Sequence, residues 1–272
     1  MLIKMDARTG IKYRKWQVSS PGAVLLLVHG LGAHSGRWEF LSNFFLNKGV
    51  SSYAIELRGF GETTDLKGHI GSFDIWFKDI LSLHDIIKKE NPGKKVFALG
   101  ESMGALIAFL MVADNPGLFD GLICISPAFK SNMKFTFLDY LKIFLALVYN
   151  PRKQFKMPFD AAMCTRDTDY QKVMDADPRE HRMATPKLLV NTAAAMIRAE
   201  QFKNKIKIPV LFLLAADDDS LVSPAESKKV FNKLKTEDKK LIQYPDMRHA
   251  LSIEKDREKV FKEIIEWLRK RI

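Results

Sequence analysis

The chain has 272 residues, 47% hydrophobic and 28% charged, which fits a globular fold with a sizeable core and excludes a disordered or fibrous chain. Its net charge of +11 would suit nucleic acid, an anionic lipid surface or a merely Lys-rich, thermophile-like exterior, but no helix-turn-helix, finger or RNP pattern is present to support nucleic acid. The opening MLIKMDARTGIKYRKW lacks an apolar signal core, and no window reaches the roughly 18 apolar residues of a membrane span. The expectation is a cytoplasmic protein without a secretion signal, in which Cys124 and Cys164 are reduced, structural thiols.

In chain order, IKYRKWQV (11–18), with a short strand before it, predicts an antiparallel edge. VLLLV (24–28) reads as a buried strand, followed by a helix from Arg37 to Lys48 and a strand at SYAI (52–55). FDIWFKDILSLHDIIKKE (73–90) has apolar residues at helical spacing. KVFAL (95–99) is a strand that leads into a helix over SMGALIAFLMVA (102–113), and LICI (122–125) is the next strand. VLFLLAA (210–216), a helix near 224–235, KLIQY (240–244) and a charged amphipathic helix over 254–270 complete the alternation. Continuous apolar strands alternating with helices predict an α/β fold, a mostly parallel central sheet with helices on both faces.

Residues 127–207 interrupt that pattern with helix-like sequence such as FLDYLKIFLALVYN (137–150). A stretch of that length is too long for a structureless loop inside a compact domain. It reads as a helical cap over the strand ends, inserted into a core formed by 1–126 and 208–272, at the place where open parallel sheets bind ligands. The segment carries 15 Lys or Arg against 8 Asp or Glu. Its apolar run from Phe135 to Tyr149 suits either a helix packed on the core or a surface that meets lipid.

Ser102 stands in GESMG (100–104), between a predicted strand and a predicted helix. That context is the one a nucleophile elbow needs, with Gly100 and Gly104 letting the two segments approach. A serine hydroxyl reacts only if a base takes its proton. Of six histidines, His249 follows the last strand and returns to the same sheet end as Ser102, whereas His84 lies within a helix, His181 in the cap and His69 in a loop with no strand ahead of it. An acid is expected after the preceding strand, where Asp217, Asp218 and Asp219 all stand. The Gly-rich turn VHGLG (28–32), with His29, Gly30 and Gly32, would leave backbone N–H groups near Ser102 to stabilise an oxyanion.

Together these segments resemble the monoacylglycerol lipase and lysophospholipase group of the α/β-hydrolase superfamily, the serine aminopeptidase S33-type domain. HGLGAHSGRWEFL (29–41), ELRGFGET (56–63), GHIGSFDIWFKDI (68–80), GESMG, SPAF (126–129) and DADPREHRMATPKLLVNT (175–192) carry the likeness, which spans essentially the whole chain. It implies Ser102 as nucleophile, Asp219 as the acid, His249 as base, and the N–H groups of Leu31 and Met103 as oxyanion donors. A lipid ester would be the substrate, with no cofactor or metal and with peripheral contact to an anionic membrane. Glu101 departs from the group, many members of which have His there, and Ala216 replaces the usual glycine before the acid. Glu101 would either alter the electrostatics beside the elbow or face cap and solvent. Lysophospholipase or medium-chain carboxylesterase activity is the alternative within enzymes, and a non-catalytic acyl binder is the alternative outside them. Dehalogenase or epoxide hydrolase chemistry would need Asp at position 102.

Overall fold

The computed structural model describes residues 3–216 and 220–272. Strands β1 (Lys4–Met5) and β2 (Lys12–Trp16) form the antiparallel edge expected from the sequence, β2 pairing with β4 (Val50–Glu56). From there the sheet is parallel, in the order β4, β3 (Ala23–Val28), β5 (Lys95–Glu101), β6 (Gly121–Ile125), β9 (Val210–Ala215) and β10 (Lys239–Tyr244). The short strands β7 (Phe155–Lys156) and β8 (Met183–Ala184) pair with each other outside it.

Alternate residues of one strand feed two different cores. Val24, Leu26 and Val28 pack with α2 (Phe73–Glu90) and α3 (Met103–Asp114), while Leu25 and Leu27 pack with α1 (Glu39–Leu46) and α9 (Arg257–Arg269). Every residue of β3 and β4 is buried; β3 accordingly reads as a continuous apolar run rather than an alternating one, while β4 also buries Ser51, Ser52 and Glu56. Helix α3 is apolar all round because it is enclosed by the sheet on one side and by α7 (Pro186–Phe202) on the other. Helix α8 (Pro224–Lys233) flanks β9.

Two helix starts shift by two residues or more from the sequence reading, each for a local reason. The helix expected from Arg37 begins at Glu39, because Ser35–Trp38 forms a tighter 3-10 turn. The last helix begins at Arg257 rather than 254. Glu254 is fully buried and its carboxylate accepts the backbone N–H groups of Arg248, Arg166 and Lys255 instead of starting a helix.

Between β6 and β9 the inserted segment holds α4 (Phe137–Tyr149), β7, α5 (Ala161–Cys164), α6 (Thr168–Ala176), β8 and α7. Thr136 and Asp139 close the start of α4 with a reciprocal capping box. Only Ala146 of that helix is buried. Among the described residues no helix is long and apolar enough to cross a membrane.

Candidate active site

Strand β5 ends at Glu101, and Ser102 caps the start of α3 with φ 58° and ψ −123°. A non-glycine residue in that region costs about 1–3 kcal/mol and persists only where its surroundings hold it. Here the Ser102 N–H donates to the carbonyl of Ile125 at 2.9 Å, and its carbonyl accepts from the N–H groups of Ala105 and Ala128. The glycine at 104 is required by packing: a Cβ there would overlap the carbonyl oxygens of Val28 and His29. Gly100 faces Gly104 just as closely.

The turn after β3 lies against the serine. A Cβ on Gly30 would stand 3.1 Å from the Ser102 Cβ and 3.6 Å from its Oγ, so the backbone entering Leu31 passes directly by the hydroxyl. His29 fixes that turn. Its Nε2 accepts the N–H of Leu57 at 3.1 Å and its Nδ1 lies 2.9 Å from the Gly30 carbonyl, partners that assign the proton to Nδ1. Burial holds its pKa below the ordinary imidazole value, so the ring is a neutral brace. Gly32 accepts the His181 N–H at 2.9 Å, joining the turn to the inserted segment. Met103, the first residue of α3, offers an N–H that the helix itself does not use.

His249 comes from the loop after β10 and lines the same pocket as Ser102, Gly30, Leu31 and Met103. The structure therefore brings together five of the residues expected from the sequence. Asp219, with Asp217 and Asp218, lies outside the described residues. Leu221 and Val222 beyond them are buried and line the pocket, and on the near side the Ala216 N–H donates to Tyr244 at 3.0 Å. His84 is buried edge-on against Phe119, and His69 meets the hydroxyl of Thr185 at 3.0 Å. Neither faces the pocket. Both cysteines are buried thiols, and Cys164 lines the pocket wall.

The walls are apolar, with Met133, Phe159, Met196, Leu221 and Val222 contributed mostly by the inserted segment and the loop after β9. Phe159 also lines a second groove, beneath α4, together with Phe135 and Ile143. Polar groups in the pocket are few, chiefly Arg37, Glu101 and Thr192. Arg37 is buried and reaches the inserted segment, donating through Nε and Nη2 to the two Glu180 oxygens at 2.6 and 2.5 Å. Burial works to lower its pKa, but the Glu180 charge and hydrogen bonds outweigh that and hold the guanidinium charged. Beside it His34 sits 3.3 Å from Asp177 and accepts the Gly36 N–H. Burial, then the neighbouring arginines, push that imidazole down to about 2, so it is neutral.

Sequence reasoning placed Arg37 in a recognisable block but not its partner, 143 residues away. Ser252, which meets Glu101, and Glu254 also escaped it. No local pattern marks any of these pairings.

A family model described as serine aminopeptidase, S33, matches residues 19–256. The human monoglyceride lipase is 29% identical, over 95% of this chain and 86% of its own length. A Bacillus subtilis phospholipase is 29% identical, over 91% of this chain and 95% of its own length. The structure of a monoacylglycerol lipase from Paleococcus ferrophilus superposes with a TM-score of 0.86 at 26% identity, covering 96% of this chain and 99% of that one. With the strained serine turn, the histidine loop and the apolar pocket at one sheet end, the chain thus belongs to the serine aminopeptidase S33 family, within the monoacylglycerol lipase-like α/β hydrolases, and is a carboxylic ester hydrolase.

Proposed function

We propose that the enzyme cleaves esters of single-chain lipids, monoacylglycerols foremost, through an acyl-enzyme on Ser102. The observation that carries this reading is the convergence of Ser102, the turn at Gly30–Leu31 and His249 at the floor of one narrow apolar pocket. Ser102 Oγ attacks the ester carbonyl carbon while His249 takes its proton. The resulting oxyanion is met by the N–H groups of Leu31 and Met103. The imidazolium returns the proton to the leaving alcohol. Water, deprotonated by the same imidazole, then releases the fatty acid. Asp219 holds the imidazole in the productive tautomer.

Residues 127–207 act as the cap in this reading. Their apolar wall suits one acyl chain, and its few polar groups leave little for a phosphate head, which favours a glycerol ester over a lysophospholipid. A fluorophosphonate should label Ser102 covalently and abolish turnover. Purified enzyme should prefer monoacylglycerols to triacylglycerols by about 100-fold in kcat/KM, since a roofed pocket admits one chain far more easily than three. Equal values on the two would defeat the reading, and faster lysophospholipid cleavage would reassign the head group. Activity should fall as acid protonates the base, whose ordinary pKa is about 6.5.

The cap also docks on anionic lipid in this proposal. Helix α4 leaves Phe137 84% and Val148 83% exposed, with Leu138, Tyr140, Phe144 and Leu145 exposed between them. Lys134, Lys142, Arg152, Lys153 and Lys156 surround it, all exposed. Such a surface is costly in water and favourable at a membrane, where each basic residue adds about 1 kcal/mol near anionic lipid. Sedimentation with phosphatidylserine-containing vesicles should exceed that with neutral vesicles at low salt, and Phe137→Ser with Val148→Ser should weaken both. Binding that ignores anionic lipid and these substitutions would remove the docking role.

A further inference from the structure

Glu101 immediately precedes Ser102, yet its side chain engages the other half of the site. It is 6% exposed, and its two oxygens are both occupied by one residue of the His249 loop. Oε1 accepts the Ser252 N–H at 3.0 Å and Oε2 accepts the Ser252 hydroxyl at 2.8 Å. The same loop is held on its other side by Glu254, which accepts the Arg248 N–H at 2.9 Å, and in the middle by the Ala250 N–H on the Cys164 carbonyl. The histidine is thus bracketed by two buried carboxylates, Glu254 holding Arg248 one residue before it and Glu101 holding Ser252 three residues after it. Glu254 is neutralised by Arg166 at 3.2 Å. Among the described residues no Lys or Arg pairs directly with Glu101.

Resting on the assignment of Ser102 and His249 above, we propose that Glu101 is a positioning residue for the hydrolysis. It ties the nucleophile turn to the loop of the base and keeps a negative charge beside the imidazolium that forms. A carboxylate whose oxygens both accept donors is best satisfied when ionised. Burial holds its pKa above the ordinary carboxylate value, and the Ser252 hydrogen bonds, His249 and Arg37 pull it back toward the ionised form. Ser252 of the loop touches it; His249 of the same loop, Arg37 from the turn after β3 and Cys164 from the inserted segment line the same pocket, and Tyr170 of that segment is near enough to feel its charge. Arg37 is already spent on Glu180, both oxygens of which it fills. His249, which lines the same pocket as Glu101, is the other group whose positive charge acts on that carboxylate.

The sign of the effect separates this role from a merely structural one. A negative charge beside the imidazole favours its protonated form, so it raises the pH at which the base becomes neutral. It also lowers the energy of the imidazolium in the transition state. Glu101→Gln keeps an acceptor for the Ser252 N–H and lets the amide donate to the hydroxyl, but removes the charge. The acid limb of kcat/KM on a water-soluble nitrophenyl ester should move down by about half a pH unit or more. At the alkaline plateau kcat should fall roughly tenfold with KM within about twofold of the parent. Ser252→Ala, which keeps the charge, should lower kcat less and leave the acid limb in place. An unmoved limb in a folded Glu101→Gln enzyme would overturn the proposal. If that variant does not fold, Glu101→Asp supplies the test: the charge remains but the shorter side chain cannot span both donors, so full parental kcat would overturn the clamp. Ser102→Ala separates the two levels, because activity surviving in it would bring down the site assignment itself, whereas a dead Ser102→Ala with an unmoved limb rejects Glu101 alone.

Discussion

Asp219→Asn is expected to lower kcat by about four orders of magnitude with KM little changed. A carboxylate accepts the Nδ1–H of the base and so leaves Nε2 free to take the serine proton. An amide presents an N–H of its own and favours the opposite tautomer, in which Nε2 is already protonated. Asp217→Asn and Asp218→Asn should stay within about threefold of the parent. The register rests on the flanks. The Ala216 N–H is anchored on Tyr244 at the end of β10, and Leu221 and Val222 are buried in the wall of the pocket that His249 also lines. A dead Asp218→Asn beside an active Asp219→Asn would shift the acid by one position. Steady-state rates on a nitrophenyl ester, with folding checked by circular dichroism, decide it.

The serine turn was readable because it is local. Two glycines at fixed offsets between a strand and a helix report a close approach, and the structure finds it where Gly104 meets Val28 and His29. The parallel sheet was readable for a similar reason, since a strand buried on both faces, such as β3, reads as a nearly continuous apolar run. Glu101 was not. Sequence left open whether it perturbed the elbow or faced cap and solvent, and the answer depends on Ser252, 151 residues away. Burial settles it against solvent. Helix α4 shows a second kind of limit. An apolar run such as Phe135–Tyr149 has the same composition whether it packs on a core or lies bare, and only the placement of its neighbours buries Ala146, half-buries Phe135, Ile143 and Leu147 and leaves the other large apolar side chains exposed. The charged stretch at Glu254 looked like the start of a surface helix for want of any sign that one carboxylate in it was fully buried.

Glu180→Ala is expected to destabilise the fold by about 3–5 kcal/mol, because it leaves the Arg37 guanidinium buried without a partner. Magnitude distinguishes this ion pair from the others. The Lys172–Asp169 pair has side chains 78% and 89% exposed and contributes little, as exposed pairs do. Arg37 and Glu180 have side chains 9% and 5% exposed and meet through two parallel hydrogen bonds. The pair also joins the turn after β3 to the inserted segment, so its loss loosens the roof of the pocket as well as exposing a charge to apolar surroundings. For a chain of this length the melting temperature should fall on the order of 10 °C. Arg37→Met combined with Glu180→Leu should recover most of that loss, since the cost lies in the orphaned charge and apolar replacements of similar volume remove it. Thermal unfolding followed by circular dichroism gives the comparison. A single Glu180→Ala change that leaves the melting temperature within about 2 °C would mean that water reaches Arg37 and that the insertion is held by its apolar contacts alone.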